Sequence, residues 1–266
     1  MDILSLEKKA QELRRNTLDM VLTAGSGHLG GSFSAADILT ALYYEVMRRD
    51  SESDRDRFIL SKGHANPILY SILIDLGYIP ESEKTKLRTF GSQLQGHPDS
   101  AKCPALDCST GSLGQGVSVA AGMAMGLKMA SSDKRVFVLT GDGELDEGIV
   151  WEAFMSAANF SLDNLVVIVD RNRIQLSNFT ENLMKLESLK DKMESFGFDV
   201  EEVDGHSFES LIPALGKKVE GKPRCIIANT VKGKGVSYME NKAEWHGGMP
   251  KGDQIELAYR ELGRQV

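Results

Sequence analysis

Apolar residues follow two patterns along this chain, and the two patterns alternate. Continuous apolar runs at residues 136–140 and 165–169 are typical of strands buried on both faces of a parallel sheet. Apolar residues spaced three or four positions apart at residues 3–24 and 149–160 predict helices with one buried face. The alternation predicts an α/β fold with a doubly wound, mostly parallel sheet flanked by helices, in one domain over residues 1–266.

The same patterns predict further elements on both sides of this central unit. Further strands are expected at residues 58–60, 199–203 and 224–229, and further helices at residues 114–130, 181–196, 207–219 and 253–262. Glycine-rich residues 24–34 are expected to form an irregular loop, with Ser34 as the N-cap of the next helix. Residues 91–116 carry little regular pattern, and a loop of that length inside a compact domain is usually functional or disordered.

The central β-α-β unit carries the strongest chemical signal. Asp142 follows the first strand between two glycines, and Asn172 follows the second strand. Both side chains should face the crevice beyond the carboxyl ends of the strands, where ligands bind in open parallel sheets. A carboxylate, an amide oxygen and one nearby main-chain carbonyl suit a magnesium ion that carries a diphosphate. A Gly-Asp-Gly turn alone is more often a helix cap, but the 30-residue spacing to Asn172 is the thiamine diphosphate signature.

Composition narrows the class of partner. With 31 basic and 38 acidic residues the net charge is −7, which argues against nucleic-acid binding. No apolar stretch approaches a membrane span, and the first residues do not form a signal peptide. Cys103, Cys108 and Cys225 form no disulfide or zinc pattern, so reduced thiols and a cytoplasmic location are expected.

Each of the five histidines has a glycine neighbour, which places them in loops, where binding groups concentrate. A lone loop histidine is usually a surface residue. Several such histidines in separate loops of one α/β sheet are more typical of a shared site. The histidines are His28, His64, His97, His206 and His246.

The segments GDGELDEG, VWEA and DRNRIQ resemble the transketolase family, and most closely its split form, in which two chains share the enzyme. The resemblance implies the thiamine diphosphate-binding fold and covers essentially all 266 residues. It also implies roles for individual residues. His28, His97 and His246 match catalytic, substrate-facing histidines, and His64, Gly111, Ser112, Leu113, Asp142, Gly143, Asn172 and His246 match cofactor-binding residues. Asp142, Asn172 and the carbonyl of Ile174 match the metal ligands.

Other positions carry less weight in this resemblance. Glu147 matches an acidic residue buried near the dimer axis, and His206 has no catalytic counterpart, so we expect a structural role for it. Leu29 and Ser112 replace prolines that are usual in the family, which could alter loop stiffness without removing a reacting group.

The resemblance also implies cofactors and partners. The cofactors are thiamine diphosphate and Mg²⁺, with Ca²⁺ or Mn²⁺ as substitutes, and the substrates are sugar phosphates. Full-length relatives carry a pyrimidine-binding domain with an activating glutamate after this one. Because the chain ends at Val266, we expect a second polypeptide to supply that domain in an α2β2 enzyme.

Four functional alternatives are weighed on the sequence alone. A pentose phosphate transketolase leads, and a relative acting on another ketose, such as a sulfonated or branched sugar, shares the same motifs. The α chain of a 2-oxo acid dehydrogenase shares the metal signature but not the histidine motifs. A non-catalytic interaction protein would have no reason to keep every reacting position of this domain.

Overall fold

Strands and helices alternate along the chain in the computed structural model, which describes residues 1–51 and 53–263. The strands are β1 (Arg57–Leu60), β2 (Val136–Gly141), β3 (Leu165–Arg171), β4 (Ile174–Gln175), β5 (Asn178–Phe179), β6 (Asp199–Asp204) and β7 (Arg224–Asn229). The helices are α1 (Ile3–Ala24), α2 (Leu29–Ser34), α3 (Ala36–Ala41), α4 (Asn66–Asp75), α5 (Gln115–Met129), α6 (Gly148–Asn159), α7 (Thr180–Leu183), α8 (Leu189–Ser195), α9 (Phe208–Gly216) and α10 (Asp253–Glu261). Glu52 and the last three residues of the predicted domain, 264–266, lie outside the described residues.

The main sheet has five strands in the order β1-β2-β3-β7-β6, and every neighbouring pair is parallel. Helices cover both faces, so the predicted doubly wound α/β fold is confirmed. A separate antiparallel hairpin of β4 and β5, which the apolar pattern did not indicate, follows β3 directly.

Successive residues of each central strand enter different cores. In β2, Phe137 and Leu139 pack into the core on the side of α1 to α4 and α9. Val136 and Val138 pack into the opposite core, on the side of α5, α6 and α8. Because side chains alternate across a strand, a strand buried on both faces must be apolar throughout, which explains the continuous runs in the sequence.

The prediction of an irregular loop over residues 24–34 was wrong in its second half, where Leu29–Ser34 form α2. The glycines there serve close packing rather than turning. A Cβ on Gly30 would lie 2.6 Å from the carbonyl oxygen of Trp245. Ser34 is the last residue of α2 and not an N-cap, because its hydroxyl donates instead to Asp170 at 2.6 Å.

The prediction of one helix over residues 181–196 was also wrong, because α7 and α8 are separate. The segment between them brings Glu187 to the guanidinium of Arg171, at 2.8 Å, while Glu181 of α7 reaches the same group at 2.9 Å. Binding both acids to one buried cation requires a break in the helix, and helical periodicity cannot reveal such a requirement. Within the described part of the chain, none of the helices is long and apolar enough to cross a membrane.

Helix α5 begins against the end of β1, and this contact depends on a glycine. A Cβ on Gly116 would lie 2.6 Å from the Ser61 hydroxyl and 2.9 Å from the Ser61 Cα, which is too close without a shift of the backbone. A Cβ on Gly122, further along the same helix, would meet nothing within 4 Å.

We therefore expect opposite effects from the same substitution at these two glycines. Gly116→Ala should lower the free energy of unfolding by about 1–3 kcal/mol through overpacking. Gly122→Ala should raise it by about 0.5–1 kcal/mol, because alanine loses less backbone entropy in a helix. Urea denaturation of the isolated chain measures both, and equal effects at the two positions would contradict the packing argument.

Candidate active site

Four neighbouring parallel strands end at one edge of the sheet, and each is followed by a polar segment. Lys62 and His64 follow β1, Asp142 follows β2, Asn172 follows β3, and Lys232 follows β7. The crevice expected from the sequence is therefore present where parallel strands present their carboxyl ends.

A cavity of about 220 Å³ opens at this edge. Eight of the predicted cofactor, metal and catalytic residues line it: His64, Gly111, Leu113, Asp142, Gly143, Asn172, Ile174 and His246. The cavity walls also carry two lysines, Lys62 and Lys232, and the acid Glu144.

Asp142 is buried at the floor of this cavity, with 2% of its surface exposed. Its Oδ2 accepts hydrogen bonds from the backbone N–H of Arg173 at 2.5 Å and the guanidinium of Arg171 at 3.0 Å. Its Oδ1 accepts from the N–H of Gly143 at 2.8 Å and keeps acceptor capacity for another partner. Burial raises the pKa of Asp142, and Arg171 opposes that rise without cancelling it.

The amide of Asn172 is held in one orientation by partners on both of its ends. Its Nδ2 donates to Ser34 at 3.4 Å and reaches Asp170 at 3.5 Å, and its Oδ1 accepts from the N–H of Ile174 at 3.2 Å. The carbonyl of Ile174 in turn accepts from the ammonium of Lys232 at 2.9 Å. The amide oxygen is therefore on the same side as the backbone that carries the third predicted oxygen.

The residues present suit a hard divalent cation. Asp142, Asn172 and Ile174 contribute one carboxylate, one amide and one carbonyl oxygen, which is the oxygen chemistry that magnesium and calcium prefer. Among the described residues no group of three His, Cys, Asp or Glu side chains could hold a metal, so a soft or tetrahedral site has no candidate there.

A buried ion pair supports the site from below. The ammonium of Lys62 donates to Asp170 and, at 3.0 Å, to the carbonyl of Gly31. Asp170 also accepts hydrogen bonds from Ser34 and Thr230. Burial alone would raise the pKa of Asp170, but Lys62 and the two hydroxyls outweigh it, so the net shift is downward.

Three histidines from three separate loops meet beside the cavity. The ring centroids of His28, His64 and His246 lie 5.2 to 5.4 Å from one another. Burial and then the charge of Arg88 lower the pKa of His28 to about 4, and burial and then Lys232 lower the pKa of His246 to about 3. Burial and Lys62 also hold the pKa of His64 well below its usual range, so all three rings are neutral at pH 7.

Three predicted site residues lie outside the cavity lining. The ring of His28 packs against His64, which lines the cavity. His97 and Ser112 are exposed. His97 lies beside Gly111, where an added Cβ would come within 3.4 Å of the His97 side chain. The roles of these residues stay predictions.

His206 lies apart from the three-histidine cluster and has structural partners. Its Nδ1 lies 2.6 Å from Asp37, and its Nε2 accepts from the N–H of Val231 at 2.8 Å. This pairing agrees with the structural role expected from the sequence, and it anchors the backbone next to Lys232.

Two lysines and one acid that line the cavity were not predicted from the sequence. Lys62 and Lys232 each lie within three residues of a strand end, which was the one local signal for them, since neither belongs to a phosphate-binding loop motif. Glu144 is buried and accepts from Ser61 and from two backbone N–H groups, at 2.8 and 3.0 Å. Glu147, expected to be buried near a dimer axis, is exposed in the single chain.

Comparison with known proteins gives the family. The family described as "Transketolase, thiamine diphosphate binding domain" matches residues 6–266. The chain belongs to the transketolase family. The predicted family and the predicted identity as an N-terminal transketolase chain are thereby confirmed.

Individual relatives match along the whole chain. One of the subunits of apulose-4-phosphate transketolase from Phocaeicola vulgatus is 43% identical, with 100% of this chain and 96% of the relative covered. The 6-deoxy-6-sulfo-D-fructose transketolase subunit from a Clostridium species is 38% identical, with 98% of both covered. The crystal structure of Campylobacter jejuni transketolase superposes with a TM-score of 0.92 at 34% identity, covering 99% of this chain. The match spans only 43% of that solved chain.

The buried Lys62–Asp170 pair gives a stability prediction. Asp170→Asn should lower the free energy of unfolding by about 3–5 kcal/mol, because Lys62, with 1% of its surface exposed, loses its counter-ion. Asp163→Asn is the matched control, since Asp163 pairs with Lys128 at the surface and should cost below about 1 kcal/mol. Chemical denaturation measures the free energy of unfolding of both variants. A similar loss of stability in both would show that the buried pair stabilises the fold no more than the surface pair does.

Proposed function

We propose that this chain is the diphosphate-binding subunit of a two-chain transketolase. With its partner it transfers a two-carbon ketol unit from a ketose phosphate to an aldose phosphate. The observation that carries the proposal is the joining of three hard oxygen donors and three neutral histidines at one edge of a parallel sheet. A structural protein has no need for either set.

The cavity residues divide into two groups according to what they would hold. Asp142, Asn172 and the Ile174 carbonyl would hold Mg²⁺, with Ca²⁺ or Mn²⁺ as substitutes. His64 and the loop of Gly111, Ser112 and Leu113 would contact the cofactor, as would Gly143. Lys62 and Lys232 supply positive charge toward a diphosphate. Thiamine diphosphate supplies, when bound, the carbon nucleophile for attack on the ketose carbonyl.

The chain's own histidines would act on the sugar. In the reaction, the bond between carbons 2 and 3 of the ketose breaks, and a new carbon–carbon bond forms to the acceptor aldehyde. The C3 hydroxyl loses a proton in the first step and the acceptor's aldehyde oxygen gains a proton in the second, so both steps require hydrogen bonds to hydroxyl and carbonyl oxygens. Neutral imidazoles of His28 and His246 can provide them without adding further positive charge to the site. His97 is exposed beside Gly111, and in this proposal it contacts the sugar.

A second chain is part of the proposal. Two relatives that match over nearly their whole length are named as subunits, and the solved Campylobacter chain is more than twice as long as this match. We infer a partner that carries the pyrimidine-binding domain with its activating glutamate, in an α2β2 assembly, in the cytoplasm.

The donor sugar has two candidates, each supported by an observation. The pentose phosphate reaction fits the family as a whole. A branched or sulfonated ketose is supported by the 43% and 38% identity to subunits whose names specify apulose 4-phosphate and 6-deoxy-6-sulfo-D-fructose. The whole-chain family match leaves a 2-oxo acid dehydrogenase without a supporting observation.

The deciding experiment measures ketol transfer in thiamine diphosphate and Mg²⁺, with this chain alone and with a candidate pyrimidine-domain chain. Xylulose 5-phosphate, apulose 4-phosphate and 6-deoxy-6-sulfo-D-fructose serve as donors, and pyruvate with a lipoyl acceptor serves as the contrary substrate. We expect transfer only in the mixture and with one donor strongly preferred. Turnover of pyruvate, or no cofactor binding with any partner, would contradict the proposal.

Asp142→Ala tests the metal site. We expect it to abolish metal-dependent binding of thiamine diphosphate, because the only carboxylate among the proposed ligands is removed. Asp146→Ala is the control. Asp146 is exposed in the same turn, so this variant should bind the cofactor with normal affinity. Isothermal titration calorimetry with and without Mg²⁺ measures both, and unchanged affinity in Asp142→Ala would put the metal elsewhere.

His97→Ala tests the sugar-facing role. Cofactor affinity should stay unchanged, while kcat/KM for the ketose should fall on the order of a hundredfold, as for the loss of one positioned proton-transfer or hydrogen-bonding group. Lys102→Ala, an exposed residue of the same loop, should leave both quantities unchanged. Normal ketose kinetics in His97→Ala would remove it from the site.

A further inference from the structure

Arg88 reaches from outside the cavity to one of the clustered histidines. Its backbone has a φ of 59°, in the left-handed region, and its N–H donates to the carbonyl of Leu94 at 2.8 Å. From there its guanidinium contacts Ser26 Oγ at 3.3 Å and the Nδ1 of His28 at 3.3 Å. Neither the family motifs nor the cavity lining includes this arginine.

The chemistry of the guanidinium decides which nitrogen of His28 carries the proton. Arginine has five N–H donors, accepts no hydrogen bond and stays charged at any ordinary pH. The Nδ1 of His28 must therefore be the acceptor in this contact. A neutral imidazole whose Nδ1 accepts carries its proton on Nε2.

The Nε2 side of the His28 ring lies beside the segment that carries His246. A Cβ on Gly247 would lie 3.9 Å from the His28 Cδ2 and 4.0 Å from its Nε2, next to His246. Over the described residues, no hydrogen-bond partner for this nitrogen is present. The N–H of Nε2 is therefore without an acceptor among the described residues and can donate to a ligand beside the segment of His246 and Gly247.

The charges around His28 keep it neutral. Burial has the largest effect on its pKa, and Arg88, His97, Lys232 and Lys62 all add to it by opposing a positive charge on the ring. No carboxylate is among these described groups. His28 is therefore unsuited to hold a transferred proton for long, but well suited to donate a hydrogen bond.

We propose that Arg88 is a positioning residue that holds His28 as the neutral Nε2–H tautomer. The ring then donates a hydrogen bond to an oxygen of the ketose and does not act as a general base. This role rests on the proposed transketolase function, whereas the tautomer itself does not. An oxygen that gains negative charge during carbonyl attack gains most from such a fixed donor.

The same arrangement recurs at a second histidine of the cluster. The Nζ of Lys232 lies 2.9 Å from the Nδ1 of His246, so an ammonium faces the nitrogen that a guanidinium faces in His28. Two rings that lie 5.4 Å apart are thus both approached by a cation at Nδ1. This repetition supports a common purpose, which is to direct two Nε2–H groups at one substrate.

The first test reads the tautomer directly in the full chain. Long-range ¹H–¹⁵N correlation spectra of ¹⁵N-histidine-labelled protein at pH 7 distinguish protonated from unprotonated ring nitrogens, and a His28→Gln sample assigns the signal. We expect His28 to have an unprotonated Nδ1 and a protonated Nε2. A proton on Nδ1, or a charged ring at pH 7, would overturn the proposal without any mutation of Arg88.

The second test replaces the arginine without changing the strain of its left-handed backbone. Arg88→Met and Arg88→Lys both keep a non-glycine residue at the left-handed position, so their strain is equal. In Arg88→Met the pKa of His28 should rise toward its ordinary value, because a neighbouring positive charge is lost. In Arg88→Lys the pKa of His28 should return most of the way to the wild-type value. Ser26→Ala removes the other guanidinium contact and should leave the pKa and the tautomer of His28 as in the wild type.

The third test follows catalysis in the reconstituted two-chain enzyme. Arg88→Met should lower kcat roughly tenfold, less than the loss expected for removing the donor itself with His28→Ala. Arg88→Lys, whose ammonium can also only donate to Nδ1, should recover most of the lost kcat, and thiamine diphosphate affinity should stay unchanged in both variants. A kcat that stays as low in Arg88→Lys as in Arg88→Met would overturn the proposal.

The outcomes separate this inference from the proposed function. If no donor sugar is turned over with any partner but the His28 signals depend on Arg88 as expected, the tautomer assignment stands and the transketolase function fails. If the enzyme is active but the His28 signals do not change in Arg88→Met, the function stands and this inference fails.

Discussion

The structure depends on one buried carboxylate, Asp170. It is fully buried on the central strand β3 and binds Lys62, which follows β1, Thr230, which follows β7, and Ser34, which ends α2. Three chain segments far apart in sequence are thereby drawn to the same strand end. A carboxylate in this position is tolerable only because its charge is paired and its oxygens are hydrogen-bonded. The same group of contacts also orients the amide of Asn172 toward the cavity.

Cations gather at the site beside the acids Asp142 and Glu144, although the whole chain is acidic. The protein carries a net charge of −7, yet Lys62 and Lys232 line the cavity and Arg88 stands beside it. Concentrated positive charge in a partly buried crevice attracts an anion more strongly than the net charge would indicate. Burial and then the same cations lower the pKa values of the clustered histidines and keep the rings neutral, so the charges that favour an anion also favour neutral hydrogen-bond donors.

Much of the site could be predicted from local sequence, because its groups follow strand ends. Asp142, Asn172 and Ile174 are predictable from a β-α-β pattern, a fixed spacing and the family resemblance, and the structure brings them to one cavity. Lys62 and Lys232 could not be predicted in the same way, because their importance depends on which strands lie side by side. The partners of Glu144 likewise come from other loops. At residues 24–34, packing against Trp245 overrode the local pattern.

The sequence by itself determined the fold class, the family and the three oxygen donors of the candidate metal site. Apolar periodicity, glycine-bounded turns and metal-binding residue types are local properties. They can be recognised in the sequence without knowing which elements are in contact. Only the tertiary structure decided how the histidines meet, which cation faces which ring nitrogen, and that Asp170 joins three distant chain segments. These features come from the β1-β2-β3-β7-β6 strand order, which brings together residues separated by more than a hundred positions. A proton's place on His28 depends on a guanidinium 60 residues away, and no local pattern encodes such a distance.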